Sequence, residues 1–234
     1  MDSHMVSEGM VPSRSKAAHL IRTGAVRVNG EVVTKQSRLV RPGDMVEFEP
    51  FLFVGRGGYK LQAALDGFQV DCHGTHALDI GCSEGGFTDC LLRNGAASVT
   101  AIDIATDVMN ADLRTDPRVE FIGGVDATDR RQLREALGER TFQLVVMDVT
   151  GELLGPLVEG VSPFLSADGS LIALLKPQYE EGREFVDDDT GREVLRRSLS
   201  SRWEGLTATD WMESPVRGGS KNRGNREFLL LIGH

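Results

Sequence analysis

Long apolar runs are missing from this 234-residue chain. Its longest apolar stretches are strand-sized, well short of the roughly 20 residues that a membrane span needs. Near the amino terminus no charged region precedes an apolar core, so neither a membrane span nor a secretory signal is expected. Cysteine is scarce. Cys72, Cys82 and Cys90 have an odd count and no metal-ligand spacing, which excludes a paired disulfide framework, gives no metal site, and fits a reducing cytoplasmic setting. Repeats and low-complexity tracts are absent. A net positive charge is absent too: the chain carries -9, which argues against nucleic-acid binding through bulk charge.

What is present is a local charge imbalance. Between Ser13 and Arg41 stand seven cations, Arg14, Lys16, Arg22, Arg27, Lys35, Arg38 and Arg41, against one acid, Glu31. That window nets +6 and leaves the remainder at -15. A solvated face is the ordinary explanation of such a window, but here the cations sit on a compact, patterned unit. Ser13 can cap a helix whose apolar stripe is Ala17, Ala18, Leu20 and Ile21, ended by Gly24. Val26, Val28 and Val32 alternate around an Asn29-Gly30 hairpin turn, and Arg41-Pro42-Gly43-Asp44 turns the chain into a strand from Met45 to Phe48. The composition shifts near Pro50. We therefore expect a small α+β domain over 1–50, a linker over 51–55 and a second domain over 56–234.

The second domain alternates strands and helices, the pattern of a parallel sheet with crossover helices. Strands are expected at 76–80, 98–104, 119–122, 142–148, 170–176 and 227–232. Helices are expected at 87–94, 132–137, 153–164 and 192–203. The stretch 218–225 reads as a basic loop.

The sharpest local signal is Leu78-Asp79-Ile80-Gly81-Cys82-Ser83-Glu84-Gly85-Gly86-Phe87. A buried strand runs into a Gly-rich turn and then a helix, so a ligand can approach the backbone and an anion can meet free N–H groups. Dinucleotide enzymes use a similar turn, and alone it discriminates weakly. Two acids sharpen it. Asp103 closes the next strand, followed by Ile104, and can accept ribose hydroxyls; Asp126 follows the third strand, within reach of an adenine amine. Turn capping is the plainer reading of both acids. The candidate cofactor set is Asp79, Gly81, Cys82, Ser83, Gly85, Gly86, Phe87, Asp103, Ile104 and Asp126. A second constellation is scattered in sequence: Lys60 after Arg56-Gly57-Gly58-Tyr59, Asp148 and Lys176 at strand ends, and Glu227 opening the last strand. Strand ends of a doubly wound sheet converge on one rim, so all four are expected to meet there.

These motifs carry a family resemblance. The second domain resembles the FtsJ/RrmJ-type 2′-O-ribose methyltransferases, whose Lys-Asp-Lys-Glu tetrad matches Lys60, Asp148, Lys176 and Glu227. The whole chain resembles the TlyA, haemolysin-A-like family through Arg56–Leu61, Gly85–Leu92, Asp116–Val119, Leu175–Glu180 and Gly224–Phe228. The first domain is similar to the RNA-binding domain typified by ribosomal protein S-four, through Ser13–Ala17, Leu20-Ile21, Gly24 and Val26–Gly30. That pattern starts near Asp2, so Ser3-His4-Met5, which looks like a cloning scar, reads as native sequence. The resemblance implies a Rossmann-like methyltransferase with a mostly parallel seven-stranded sheet, S-adenosyl-L-methionine as cofactor, and methylation of cytidine ribose in ribosomal RNA or ribosomal subunits. In that reading Lys176 steers and deprotonates the hydroxyl, Asp148 and Glu227 position Lys176, and Lys60 holds the RNA or the nucleophile. Arg14, Lys16, Arg22, Arg27, Lys35, Lys221, Arg223 and Arg226 grip phosphates.

Three stretches depart from the family pattern. Glu84 replaces a usual Thr. Val149-Thr150-Gly151-Glu152 follows Asp148 in place of Ser-Phe and a small polar stretch. Ala105-Thr106-Asp107-Val108 replaces Gly-Tyr-Gly-Gln. They motivate the alternative of a non-catalytic ribosome- or RNA-binding protein with a degenerate methyltransferase domain. A pore-forming haemolysin would follow from the family name alone, and nothing resembles a hydride-transfer site.

Overall fold

The computed structural model describes residues 1–22, 25–48, 52–218 and 224–234. The chain divides into two compact units, Met1–Leu52 and Phe53–His234. In the first, α1 (Asp2–Ser7) and α2 (Arg14–Arg22) accompany a three-stranded antiparallel sheet of β1 (Val26–Val28), β2 (Glu31–Val33) and β3 (Val46–Phe48), ordered β2-β1-β3. Its core joins Met1, Met5 and Val11 to Ala17, Leu20, Ile21, Val26, Val28 and Val33. Met5 is fully buried, so the segment around it is part of the fold. Asn29 takes a positive φ of 51° in the hairpin and ties it to the next turn, donating to Asp44 and accepting from the Met45 N–H. Gly24, expected to end α2, lies outside the described residues.

The second unit begins at Phe53, which the sequence pattern assigns to a linker. Its ring is 2% exposed and packs edge-on against Tyr59. There follow α3 (Arg56–Phe68), β4 (His76–Ile80), α4 (Gly86–Arg93), β5 (Ser98–Asp103), α5 (Ala111–Thr115), β6 (Val119–Gly123), α6 (Arg130–Leu137) and β7 (Phe142–Met147). Next come α7 (Leu154–Val161), β8 (Leu165–Leu175), α8 (Pro177–Glu180), α9 (Asp188–Leu199), β9 (Arg202–Trp203), β10 (Leu206–Glu213) and β11 (Phe228–Gly233). The sheet order is β6-β5-β4-β7-β8-β11-β10-β9: parallel from β6 to β8, antiparallel beyond. One apolar cluster, including Leu133, Val158 and Leu195, and a second, including Leu61, Leu91 and Val99, bury most of its side chains. This is the expected Rossmann-like α/β class with eight strands rather than seven.

The differences have local causes. The added strand is the two-residue β9 pairing with β10, and β10 itself escapes pattern reading because its residues are mostly outward and polar and a bulge breaks its alternation at Ala208/Asp210. Helix α9 starts at Asp188 rather than 192 because the Asp187 side chain accepts the Thr190 N–H; it ends at Leu199, and Arg202-Trp203 is extended. Among the described residues no helix is long and apolar enough to cross a membrane.

Candidate active site

The sheet register assembles the four scattered residues. β4 pairs with β7 through Ile80 and Met147, and the Asp148 N–H donates to the Ile80 carbonyl at 3.1 Å. Asp148 therefore leaves the sheet beside Gly81, where the strand order reverses, the usual ligand crevice of an open α/β sheet. β11 runs antiparallel to β8 with Phe228 opposite Leu175, so Glu227 and Lys176 stand side by side just beyond the ladder. Lys60 arrives from α3. Its ammonium donates to Glu227 Oε2 at 2.8 Å and Asp148 Oδ2 at 3.3 Å. Lys176 Nζ lies 2.6 Å from Asp148 Oδ1 and donates to Thr150 Oγ1 at 3.0 Å.

Lys60, Lys176 and Glu227 are all buried, at 8%, 8% and 3% exposure. Burial of charge is tolerated only with partners, and deleting one partner of such a pair typically costs about 3–5 kcal/mol. Two ammonium and two carboxylate groups balance here. Burial alone would raise the Asp148 carboxyl; the charges and hydrogen bonds of Lys60 and Lys176 outweigh it and hold it below the usual carboxylate range. Gly218 completes the nest: a Cβ there would stand 2.0 Å from Glu227 Oε1, so this position admits no larger side chain without displacing the carboxylate. Asn225, two residues before Glu227, accepts the Val186 N–H and donates to the Glu184 carbonyl, pinning the loop that follows α8. Neither Thr150 nor Asn225 stands out in the sequence beyond belonging to a motif stretch.

The Gly-rich turn lies beside this cluster. Gly81 has φ of 77°, and a Cβ there would come within 3.1 Å of the Asp148 carbonyl, so the turn requires glycine. Asp103 Oδ2 accepts the Ser83 N–H at 2.8 Å and Oδ1 accepts the Ala105 N–H at 2.9 Å. It caps turns, as the plainer reading holds, while each carboxylate oxygen retains a second acceptor site. Ile104 beside it is 69% exposed, an apolar surface next to a hydroxyl-binding acid. Asp126 Oδ1 accepts both the N–H and the hydroxyl of Thr128. Asp79 and Phe87 are placed differently from the rest of the expected set. Phe87 is a core side chain, and Asp79 is fully buried, one oxygen accepting the Thr88 hydroxyl at 2.7 Å and Oδ1 having no hydrogen-bond partner. Burial pushes the Asp79 carboxyl up to about 7 against the opposing Thr88 bond. Cys82, Gly85 and Gly86 are buried in the turn, leaving Ser83 and Glu84 exposed. The exposed acid-plus-isoleucine pair, the glycine-only turn and the unpartnered buried oxygen fit a nucleoside-bearing cationic cofactor.

The expected phosphate contacts separate into groups. Arg27 and Lys35 are exposed. Lys16 is half-buried, and Arg14 is exposed but paired with Asp2 at 2.8 Å. The Arg22 side chain and all of Lys221 and Arg223 lie outside what the structure describes. Arg226 is a correction: its guanidinium is engaged by Glu213 and Asp188 on elements flanking it, so it is a structural cation rather than a free one.

A family model for FtsJ-like methyltransferases matches residues 53–233, and one for the S4 domain matches residues 3–46. Hemolysin A of Brachyspira hyodysenteriae is 32% identical over 238 residues, 98% of this chain and 97% of that protein. The 16S/23S rRNA (cytidine-2'-O)-methyltransferase TlyA of Mycobacterium tuberculosis is 33% identical, over 99% of this chain and 88% of its own length. A solved hemolysin structure from Streptococcus thermophilus superposes with a TM-score of 0.71 at 29% identity, covering 99% of this chain and 86% of that one.

Proposed function

This chain belongs to the TlyA, haemolysin-A-like family of FtsJ-like methyltransferases, and from that premise we propose that it methylates the ribose 2′-hydroxyl of cytidine in ribosomal RNA. The observation that carries the reading is the Lys60–Glu227–Asp148–Lys176 cluster, closed by ion pairs at the switch point of the sheet. S-adenosyl-L-methionine, when bound, supplies an electrophilic methyl group on a sulfonium. Asp103 and Ile104 would hold its nucleoside, and the Gly81–Gly85 turn would receive the remainder. What is left to the protein is alignment and proton handling.

Lys176 directs the attacking hydroxyl and receives its proton. Asp148 holds Lys176 on one side and Lys60 on the other, so the two ammonium groups keep a fixed spacing. Glu227 fixes Lys60, which meets the ribose or its phosphate. This revises the expected division of labour, because Glu227 bonds to Lys60 whereas Asp148 alone of the two carboxylates pairs with Lys176. The amino-terminal unit supplies phosphate contacts through exposed cations such as Arg27 and Lys35. No observation favours the non-catalytic alternative: the departures at Glu84 and after Asp148 leave all four side chains paired. The test is mass spectrometry of ribosomal RNA from cells with and without the gene, followed by methylation of the unmodified RNA with purified protein. A 2′-O-methylcytidine that depends on the gene is the expected result; identical RNA from both strains rejects the reading.

A further inference from the structure

We propose that Thr150 is a positioning residue for methyl transfer: its hydroxyl sets the direction of the Lys176 ammonium and leaves one N–H site of that ammonium facing the substrate. The inference rests on the 2′-O-methyltransferase reading above and adds a fifth side chain to the tetrad.

An ammonium on a four-carbon stem has three equivalent donors and rotates freely unless two of them are fixed. Asp148 Oδ1 at 2.6 Å fixes one, and Thr150 Oγ1 at 3.0 Å fixes the second. The third remains for a substrate oxygen. Asp148 alone cannot define that third direction, because a single ion pair leaves rotation about the N···O line. It is also shared, its second oxygen accepting from Lys60 at 3.3 Å. The face of Tyr179 lies 5.8 Å from Nζ and gives attraction without a fixed direction.

The setting of Thr150 separates this role from packing. Lys176 is 8% exposed, whereas Thr150 is exposed, on the loop joining β7 to α7. A side chain that buries little apolar surface adds little to the core, yet this one holds a buried ammonium from the solvent side. Gly151, with φ of 91°, follows immediately and turns the chain away. The hydroxyl is also neutral. A carboxylate there would add a second negative charge beside Lys176 and hold the proton that Lys176 has to exchange. The other ionisable groups around Lys176 are Asp148, Lys60 beyond it, Tyr179, and Glu152 and Glu180, which line the same small cavity; Glu180 is committed to the Leu154 N–H at 2.8 Å. Thr150 is thus the partner that accepts from Lys176 without adding charge.

The experiment compares Thr150→Val, which keeps the shape and removes the acceptor, with Thr150→Ser, which restores it. In single-turnover methylation of the RNA substrate, Thr150→Val is expected to lower the rate at least tenfold. Affinities for RNA and cofactor should stay within twofold of the parent, and Thr150→Ser should recover most of the rate. Because the missing acceptor favoured the charged ammonium, the acid limb of the pH–rate profile should move to lower pH in Thr150→Val. A second readout needs no activity: in nitrogen-15 NMR of lysine side chains, the Lys176 ammonium resonance should shift or broaden in Thr150→Val while that of Lys60, which does not touch Thr150, stays in place. An unchanged Lys176 resonance, or a parental rate and pH profile in Thr150→Val, overturns the proposal. If the parent protein methylates no RNA, the function reading fails by itself and the NMR comparison still decides the positioning role.

Discussion

In the amino-terminal unit, seven cations lie between Ser13 and Arg41 beside a single acid, and Arg27, Lys35, Arg38 and Arg41 are exposed. In the methyltransferase unit, which by sequence carries -10 against +1 for the first, many arginines are matched to nearby acids. Arg93 meets Asp89, Arg118 meets Asp116, Arg130 meets Glu159 and Glu204, Arg140 meets Glu120, and Arg226 meets Glu213 and Asp188. The two units therefore divide the task. One presents uncommitted charge to a polyanion, and the other keeps its charge in pairs and holds the reacting groups in a buried cluster. Attraction to RNA and chemistry on it are separable properties, and the comparison can be broken from either side.

The largest effect is expected from the catalytic side. Lys176→Ala should lower single-turnover methyl transfer by about 10²–10⁴, the usual contribution of a positioned acid or base. Binding of RNA and of cofactor should persist. Lys176→Arg should fail as well, because guanidinium does not give up its proton in this range and its planar fork cannot reproduce the ammonium geometry. A near-parental rate in the arginine variant would remove the proton-transfer role and leave alignment alone. From the other side, a chain starting at Phe53 keeps the ring that packs on Tyr59 and should keep its cofactor affinity. Its RNA affinity should fall at least tenfold, and the slope of log K against log salt should shrink by about 0.7–0.9 for each phosphate that is no longer neutralised. Equal RNA affinity in the short and full chains would end the division of labour.

How far these roles are legible in the sequence follows from the physics of each feature. Asp148, Lys176 and Glu227 are readable because strand ends in a parallel sheet converge on one rim whatever the loops do. Lys60 is readable only through the family motif: Gly57 and Gly58 hide the helical periodicity of α3. The partner of Glu227 is not readable, since whether it meets Lys60 or Lys176 depends on side-chain reach across the rim. The pairing of Arg226 is hidden for a similar reason: Glu213 and Asp188 come from β10, which the pattern does not reveal, and from α9, which starts four residues early. Asp79 looks like a ligand because the motif contains it, yet its burial places it beneath the turn.

Asp103→Ala tests the cofactor half of the site. Loss of charged hydrogen bonds to a ribose is worth roughly 1.5–3 kcal/mol, so affinity for S-adenosyl-L-methionine should fall by about ten- to a hundredfold in calorimetric titration. The structure adds a second consequence, because Asp103 also accepts the Ser83 and Ala105 N–H groups. Thermal stability should fall as well, and a variant that lost stability at unchanged cofactor affinity would make Asp103 a turn cap only.

Asp79→Asn probes the interior beneath that turn. The folded-state carboxyl titrates near 7, above its ordinary value of 3.8, because burial disfavours the ion. Between those two values the native state binds the proton more than the unfolded chain does. Stability from this group is therefore present at low pH and lost as pH rises to about 7, at up to about 1.4 kcal/mol per pH unit. Asparagine has no such dependence. Denaturant unfolding across pH 4–8 should show the variant gaining on the parent as pH rises, with the difference levelling off above about 7. A constant difference across that range would mean that Asp79 is not perturbed by its burial.

The smallest effect sharpens the contrast between free and committed cations. The family resemblance assigns both Arg226 and Lys35 to phosphate, but Arg226 is clasped by Glu213 and Asp188 while Lys35 is exposed in the basic unit. The same pairing holds the Asp188 carboxyl down to about 2, so both partners stay charged throughout the neutral range. A cation already matched by two carboxylates releases few counterions from RNA, because its field at a distance is cancelled. Lys35→Gln should therefore lower RNA affinity a few-fold and reduce the salt slope by somewhat less than the value for a single phosphate. Arg226→Gln should leave both within error while lowering the melting temperature, since Glu213 and Asp188 are left without their shared partner. Filter-binding titrations at several salt concentrations, beside thermal melts of each variant, make the comparison. If the arginine variant abolished the salt slope and the lysine variant kept it, then the charge that meets RNA would lie in the methyltransferase unit, and the assignment of RNA attraction to the amino-terminal unit would have to be reversed.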